Sequence, residues 1–341
     1  MRLRSGIGIS VIALIALLLG AVFLSAWLIS PVGGDAEPML VSVPRGASAS
    51  AIAQRLKDRE LIRSRKAFLI VAGIGGKNAT LKPGAYKLTR NMSLKQIIDK
   101  IESGDVAAVW ITFPEGFTKR QMAETLAERG ILTVEAFLDA AGKGESYTDI
   151  PAGEDGSLEG FLFPDTYLVP LDATAESVIS AMVRTFQTKV MEPHAEEIEK
   201  CELGVLLPNS NNLRNVIVVA SLIEREAKAP EDREKISGVI YNRLRRGMRL
   251  EIDATVQYAR GEHKPRLFYR DLDIDSTYNT YLHGGLPPGP IANPGVASIK
   301  AALNPADTDA LFYVARKDGT HVFSRTLAEH NAAKRRIRSE N

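Results

Sequence analysis

Residues Val216 to Ala227, reading VIVVASLIEREA, constrain the fold more than any other stretch. Five consecutive apolar residues from Val216 to Ala220, followed by Leu222 and Ile223, leave no polar face over two helical turns. A helix apolar all round must be packed on every side. A buried strand is the rival reading of a short apolar run, but this one continues through Ser221 and Glu224 to Lys228, beyond the usual length of a strand. Asn211 or Asn215 can cap its start, and Pro230 stops it. Into this buried cylinder the sequence sets a carboxylate, Glu224, near the helix C-terminus. Desolvation and the negative end of the helix dipole both raise the pKa of a carboxyl group there, which is what a general acid needs. The competing reading is that Glu224 marks the point where the helix surfaces, with Arg225, Glu226 and Lys228 as solvated companions.

Charge excludes several function classes. The chain carries 43 basic and 41 acidic residues with no long basic block, so nucleic acid is not an expected partner. The lone Cys201 permits neither an internal disulfide nor a cysteine metal site. The histidines (His194, His263, His283, His321, His330) never fall in a paired ligand spacing, so no metal and no cofactor are expected. Gly73-Ile74-Gly75-Gly76-Lys77 lacks the spacing of a phosphate loop and reads as a turn.

Taken in order, the chain reads as α+β with one membrane segment. Residues 7–29 are uncharged and long enough to cross a bilayer as a helix. Arg2 and Arg4 before it, with Asp35 and Glu37 after it, put residues 1–6 in the cytoplasm and the rest outside. A cleaved signal peptide is the alternative, but no clean A-x-A site follows. Residues 30–38 form a tether. A small α+β module follows over 39–105, with strands expected at Leu40–Val43 and Gly84–Leu88 and a capping box at Ser93/Gln96. It is either a glycan-positioning module or a spacer. A larger α+β domain occupies 106–341. Within it, Thr118/Gln121 is a second capping box, and Ser157–Tyr167 interleaves aromatics with Glu159 and Asp165. That mixture suits a sugar-contacting wall, although core packing beside a turn explains it too. Pro230 opens a further helix ending at Gly247, and Leu250–Tyr258 reads as irregular. Eight of the eighteen residues in Tyr278–Gly295 are Gly or Pro, so that segment is an irregular loop suited to lining a cleft. Leu311–Ala315 and His321–Ser324 read as a β-hairpin, and a basic helix from about Thr326 closes the chain.

The blocks LEGFLFPDTY, ASLIEREA, VIYNRLRRGMRLEIDATVQY, YNTYLHGGLPPGPIANPG, and FYVA with DGTHVFSRTLAEHN resemble, in that order, the MltG (YceG-like) endolytic murein transglycosylases. The resemblance implies one membrane helix, a LysM-like module over 39–105 and a catalytic domain over 106–341. It implies peptidoglycan glycan strands as substrate, an inner-membrane location with the catalytic domain outside, and membrane-bound peptidoglycan polymerases as partners. The catalytic acid is expected at Glu224, the first glutamate of its motif. Glu226 points about 200° away on the same helix. Where the family has L-Q-[ST]-D-P-T-V, this chain has Glu251 for the glutamine and Ala254 for the proline. With Glu159, the residues Asp253, Thr255, Tyr278 and Asn279 are expected to contact substrate.

The implied reaction needs one carboxyl. It protonates the leaving oxygen, and the C6 hydroxyl of the same N-acetylmuramic acid closes a 1,6-anhydro ring, an intramolecular attack favoured by positioning. Two other classes stay open. A lysozyme-like hydrolase would add Asp253 or Glu251 as a second carboxylate. A non-catalytic glycan-binding scaffold would use Glu224 structurally.

Overall fold

A computed structural model describes residues 4–34, 37–44, 46–74, 81–147, 149–153, 155–208, 210–261, 264 and 267–339. Gly75, Gly76 and Lys77 of the expected turn, Asp35 of the tether and His263 lie outside the described residues, while Gly73 and Ile74 end a helix. The chain divides into two compact units, one running to Trp110 and including Leu168–Asp172, the other made of Ile111–Tyr167 and Ala173–Asn341.

The first unit begins with helix α1 (Arg4–Ile29), whose window Ile12–Ile29 is long and apolar enough to cross a membrane and is nowhere buried by protein. Strands β1 (Met39–Val43) and β2 (Gly84–Leu88) pair antiparallel, Met39 opposite Leu88 and Val43 opposite Gly84. Helices α2 (Ala49–Asp58), α3 (Arg65–Ile74) and α4 (Leu94–Ser103) enclose a core built on Leu56, Phe68, Tyr86, Ile97 and Ile101. The caps follow from local chemistry. Ser48 accepts from the N–H of Ala51, the Ser93/Gln96 capping box forms, and Gly104 ends α4 in the left-handed conformation. Leu61 and Ile62 are buried on the turn after α2, where Glu60 has φ 55°. Strands β3 (Ala108–Thr112) and β4 (Thr166–Pro170) pair in a separate two-stranded ribbon.

The second unit contains α5 (Lys119–Glu128), α6 (Val134–Ala141), α7 (Ala175–Phe186), α8 (Ala195–Lys200), α9 (Leu203–Leu206), α10 (Asn212–Glu226), α11 (Arg233–Arg245), α12 (Asp253–Arg260) and α13 (Val296–Leu303). Hairpin β5 (Phe312–Ala315)–β6 (His321–Ser324) and α14 (Leu327–Ser339) follow. Helix α10 is its axis. Every residue from Leu213 to Ile223 except Arg214 is buried, and α10 packs most extensively on α13. Its polar interior residues are satisfied: Ser221 Oγ donates to the carbonyl of Val218 at 2.7 Å and accepts from the N–H of Ile291 at 3.1 Å. Tyr241 of α11 donates to the carbonyl of Ala302 at 2.7 Å, tying α11 to α13.

One expectation fails here. Leu250–Tyr258 is not irregular: α12 starts at Asp253 and ends at Gly261, which takes a left-handed φ of 71°. Only Ala254, Thr255 and Val256 of this helix are buried, so the segment carries no continuous apolar stripe to announce itself.

Candidate functional site

Helix α10 delivers two carboxylates to different surroundings. Asn211 caps its start, accepting from the N–H of Arg214 at 3.0 Å, and the helix ends at Glu226, where Ala227 closes the last turn. Glu224 is half-buried and accepts from the N–H of Gly295 at 3.1 Å, at the entry to α13. It lies against Gly116, whose absent Cβ would stand 3.4 Å from Glu224 Cγ. Glu115 shares this corner. A Cβ on Gly295 would sit 1.9 Å from Glu115 Oε1, so glycine lets that carboxyl rest on the backbone. Partial burial and then the charge of Glu224 push the Glu115 carboxyl up, while Arg233 pulls it down.

Glu226 faces the other way, into an open cleft of about 460 Å³ that it lines with Asp253, Tyr281, Tyr313, His321 and Arg243. Tyr313 donates its hydroxyl to Glu226 Oε2 at 3.2 Å, and the N–H of Ala254 donates to the same carboxyl. Burial, reinforced by the neighbouring charge of Asp253, pushes Glu226 up to about 7 despite these donors. A carboxyl that is protonated near neutrality and still open to a cleft can give a proton to a bound group.

The rest of this cleft is held in place by hydrogen bonds. Tyr281 donates to Asp253 Oδ1 at 2.6 Å, and Asp253 is exposed at the start of α12. Burial and the Asp253 carboxylate both raise the Tyr281 phenol, so it stays a donor. Buried Asp232 meets both the backbone N–H and Nδ1 of His321, at 2.7 and 3.1 Å, which fixes the orientation of the ring. The His321 ring meets Tyr313 edge-on at 5.5 Å. Glu251, the carboxylate in place of the expected glutamine, pairs with Arg243 at 3.1 Å and borders the Glu226 cleft.

The other candidates separate into exposed and buried residues. Thr255 and Asn279, expected to meet substrate, are instead fully buried. Thr255 donates to the carbonyl of Ile252 at 2.7 Å, and Asn279 Nδ2 donates to the carbonyls of Leu272 and Ile274. Both shape the walls, because no surface is left for a ligand. Glu159 is 3 % exposed and also committed. Its Oε1 accepts from the Lys119 N–H and from Asn293 Nδ2, both at 2.8 Å, and its Oε2 accepts from the Tyr258 hydroxyl at 3.3 Å. Burial pushes it up to about 7. Tyr278 packs against Tyr258 with the rings tilted by 46° and their centroids 4.9 Å apart, and keeps part of its surface exposed. Tyr313, His321 with Asp232, and Glu115 escaped sequence reasoning. The signal available was the hairpin block carrying the first two, DGTH beside FYVA. Among the described residues, no three His, Cys, Asp or Glu side chains converge as metal ligands would.

Comparison with known proteins shows the family. The YceG-like family model matches residues 41–336. A protein of Bacillus subtilis (strain 168) named endolytic murein transglycosylase is 38% identical over 345 residues, covering 95% of this chain and 92% of that one. Its namesake in Streptococcus pneumoniae serotype 2 (strain D39 / NCTC 7466) is 30% identical over 329 residues, covering 85% of this chain and 58% of that protein. The 2.6 Å crystal structure of a yceG-like protein from Listeria monocytogenes matches with a TM-score of 0.59 at 34% identity, covering 88% of this chain and 100% of that one.

Proposed function

The chain belongs to the YceG-like family, and on that footing we propose that it is an endolytic murein transglycosylase, a lyase that cuts glycan strands internally and leaves 1,6-anhydro-N-acetylmuramic acid ends. The observation that carries the chemistry is Glu226: one carboxyl held near 7 by burial, in an open cleft with tyrosines on its rim. Protonated Glu226 gives its proton to the glycosidic oxygen as the C1–O bond breaks. The C6 hydroxyl of the same sugar then bonds to C1, and Glu226, now a carboxylate, takes the hydroxyl proton. No water is consumed and the acid is regenerated. Asp253 and Tyr281 orient the sugar, and Tyr313 orients the acid. The nucleophile is part of the substrate, so placement replaces a second catalytic carboxylate.

A second reading keeps the acid at Glu224, the first glutamate of the motif. It draws on Glu115, which shares the Gly295 corner with Glu224 and whose carboxyl is raised by burial and then by the charge of Glu224. We further propose that α1 is a single membrane span with its N-terminus in the cytoplasm, that residues 39–105 form a LysM-like module, and that 106–341 form the catalytic domain outside. Cutting nascent strands there would end their elongation beside membrane-bound polymerases.

The test is mass spectrometry of uncrosslinked glycan strands treated with wild type, Glu226→Gln and Glu224→Gln. Anhydro-ended internal fragments lost only in Glu226→Gln support the first reading; loss only in Glu224→Gln moves the acid to Glu224. Reducing ends would mean a hydrolase, and intact strands with folded wild type would leave a glycan-binding scaffold.

A further inference from the structure

A second and larger cleft, of about 620 Å³, opens on the other side of the α10–α12 contact. Arg225 and Ala254 line it, while their neighbours Glu226 and Asp253 line the first, so the two clefts share a wall. Its chemistry differs from that of the tyrosine-rimmed cleft. Three cations face it, Lys119, Arg120 and Arg225, together with the amides of Gln121 and Gln257. The carboxyls that also line it are Glu124 and Glu159, and the second is buried and fully engaged with protein donors.

The cleft is built rather than incidental. Glu159 forms its floor and pins three separate walls: the start of α5 through the Lys119 N–H, α12 through Tyr258, and the 290–294 loop through Asn293. Cations mounted on a frame held this way are placed before any ligand arrives. Lys119 Nζ donates to Ser157 Oγ and Arg225 Nη1 to the carbonyl of Gly116, each leaving further N–H donors, and Arg120 stands exposed on the first turn of α5.

In a peptide-bearing strand the sugar hydroxyls, the acetamides and the amide-linked lactyl groups are all neutral, so the glycan itself gives such a cleft little to bind. Murein strands also carry short peptides on alternate sugars, and these bear carboxylates and backbone amides. We propose that the second cleft receives the peptide arm of the strand being cut, its carboxylates held by Arg120, Lys119 and Arg225 and its backbone by Gln121 and Gln257. The reading rests on the transglycosylase assignment above. Reach is sufficient: an extended arm of four or five residues spans about 15 Å, at roughly 3.4 Å per residue, against a helix diameter of about 10 Å for the shared wall.

The experiment compares kcat/KM of the full chain in detergent on peptide-bearing strands and on the same strands stripped by an amidase. Wild type is expected to prefer the peptide-bearing form about tenfold through KM, as a charge-assisted contact allows. Arg120→Ala and Arg120→Glu should collapse that ratio toward one by raising KM on peptide-bearing strands without changing kcat, and Arg120→Lys should restore part of it. A wild-type ratio near one, or a ratio unmoved by Arg120→Glu, would overturn the subsite while leaving the reaction intact. Failure to cut either substrate would overturn both.

Discussion

Glu226→Gln should change stability as well as chemistry, and with a sign fixed by the raised carboxyl. Holding Glu226 at about 7 instead of its ordinary 4.5 disfavours the ionised native form by about 3 kcal/mol, at about 1.4 kcal/mol per pH unit. Partial opening to the cleft lets solvent screen the group, which trims this to about 2 kcal/mol. Below 4.5 the carboxyl is protonated in folded and unfolded chains alike, so there is no penalty. Between 4.5 and 7 the unfolded chain releases the proton that the folded chain retains, and wild type loses stability; above 7 the loss is complete. Glutamine does not ionise. Its amide meets the donors Tyr313 and Ala254 less well, which costs about 1 kcal/mol at every pH. The variant should therefore be slightly less stable than wild type near about pH 4 and more stable near about pH 8. The difference between them should climb by about 2 kcal/mol over that range. Urea unfolding of the detergent-solubilised chain, followed by circular dichroism with the variant beside wild type, measures it. A flat difference, or one that falls with pH, would refute the buried-acid account.

The same acid governs the remaining predictions about activity. With Glu226 as the proton donor, kcat/KM should hold below pH about 7 and fall about tenfold per unit above it, as a pH-rate profile would reveal. Tyr313→Phe removes a donor that favours the carboxylate, so the falling limb should move to higher pH. Ala254→Pro deletes the other donated N–H and should move it the same way, whereas Ala254→Gly should not. Gly160→Ala places a Cβ 2.5 Å from Pro290 Cγ and 2.8 Å from Ile217 Cγ2 at a φ of 89°. Strain and overpacking together should destabilise the chain by about 2–5 kcal/mol in thermal melts. Asn293→Ala removes bonds to the N–H groups of Gly160 and Leu162, the carbonyl of Phe117 and the carboxyl of Glu159, and should cost about 3 kcal/mol or more by the same measurement.

Local signals were legible and long-range ones were not. The capping boxes at Ser93/Gln96 and Thr118/Gln121 form as their spacing predicts, because both partners lie within one turn. The burial of Val216–Ile223 follows directly from the unbroken apolar run. The hairpin and the irregular 278–295 loop are likewise written in Gly, Pro and alternation. Choosing between Glu224 and Glu226 is a different problem. Both occupy the same last turn, and what separates them is Gly295 on one side and Tyr313 on the other, 71 and 87 residues away. Thr255, Asn279 and Glu159 show the same limit: polar residues in a motif look alike whether they face a ligand or hold a wall. Only the partners distinguish them, and those partners come from other elements. Helix α12 carries no such local signal, because Ile252 at its N-cap makes no side-chain cap and its apolar residues form no stripe.

The Asn293 bracket also sets when the site can exist. Its side chain bonds to residues 131, 133, 134 and 176 positions earlier, so the floor beneath the second cleft closes only when the end of the loop arrives. Contacts of such separation form late, after the entropy of a long loop has been lost. A chain being made from its N-terminus carries α10 and both glutamates well before Asn293 and the hairpin that supplies Tyr313. Until those residues follow, Glu226 lacks the Tyr313 hydroxyl and Glu159 lacks the Asn293 amide. Both carboxyls therefore gain these partners only as the last part of the chain folds.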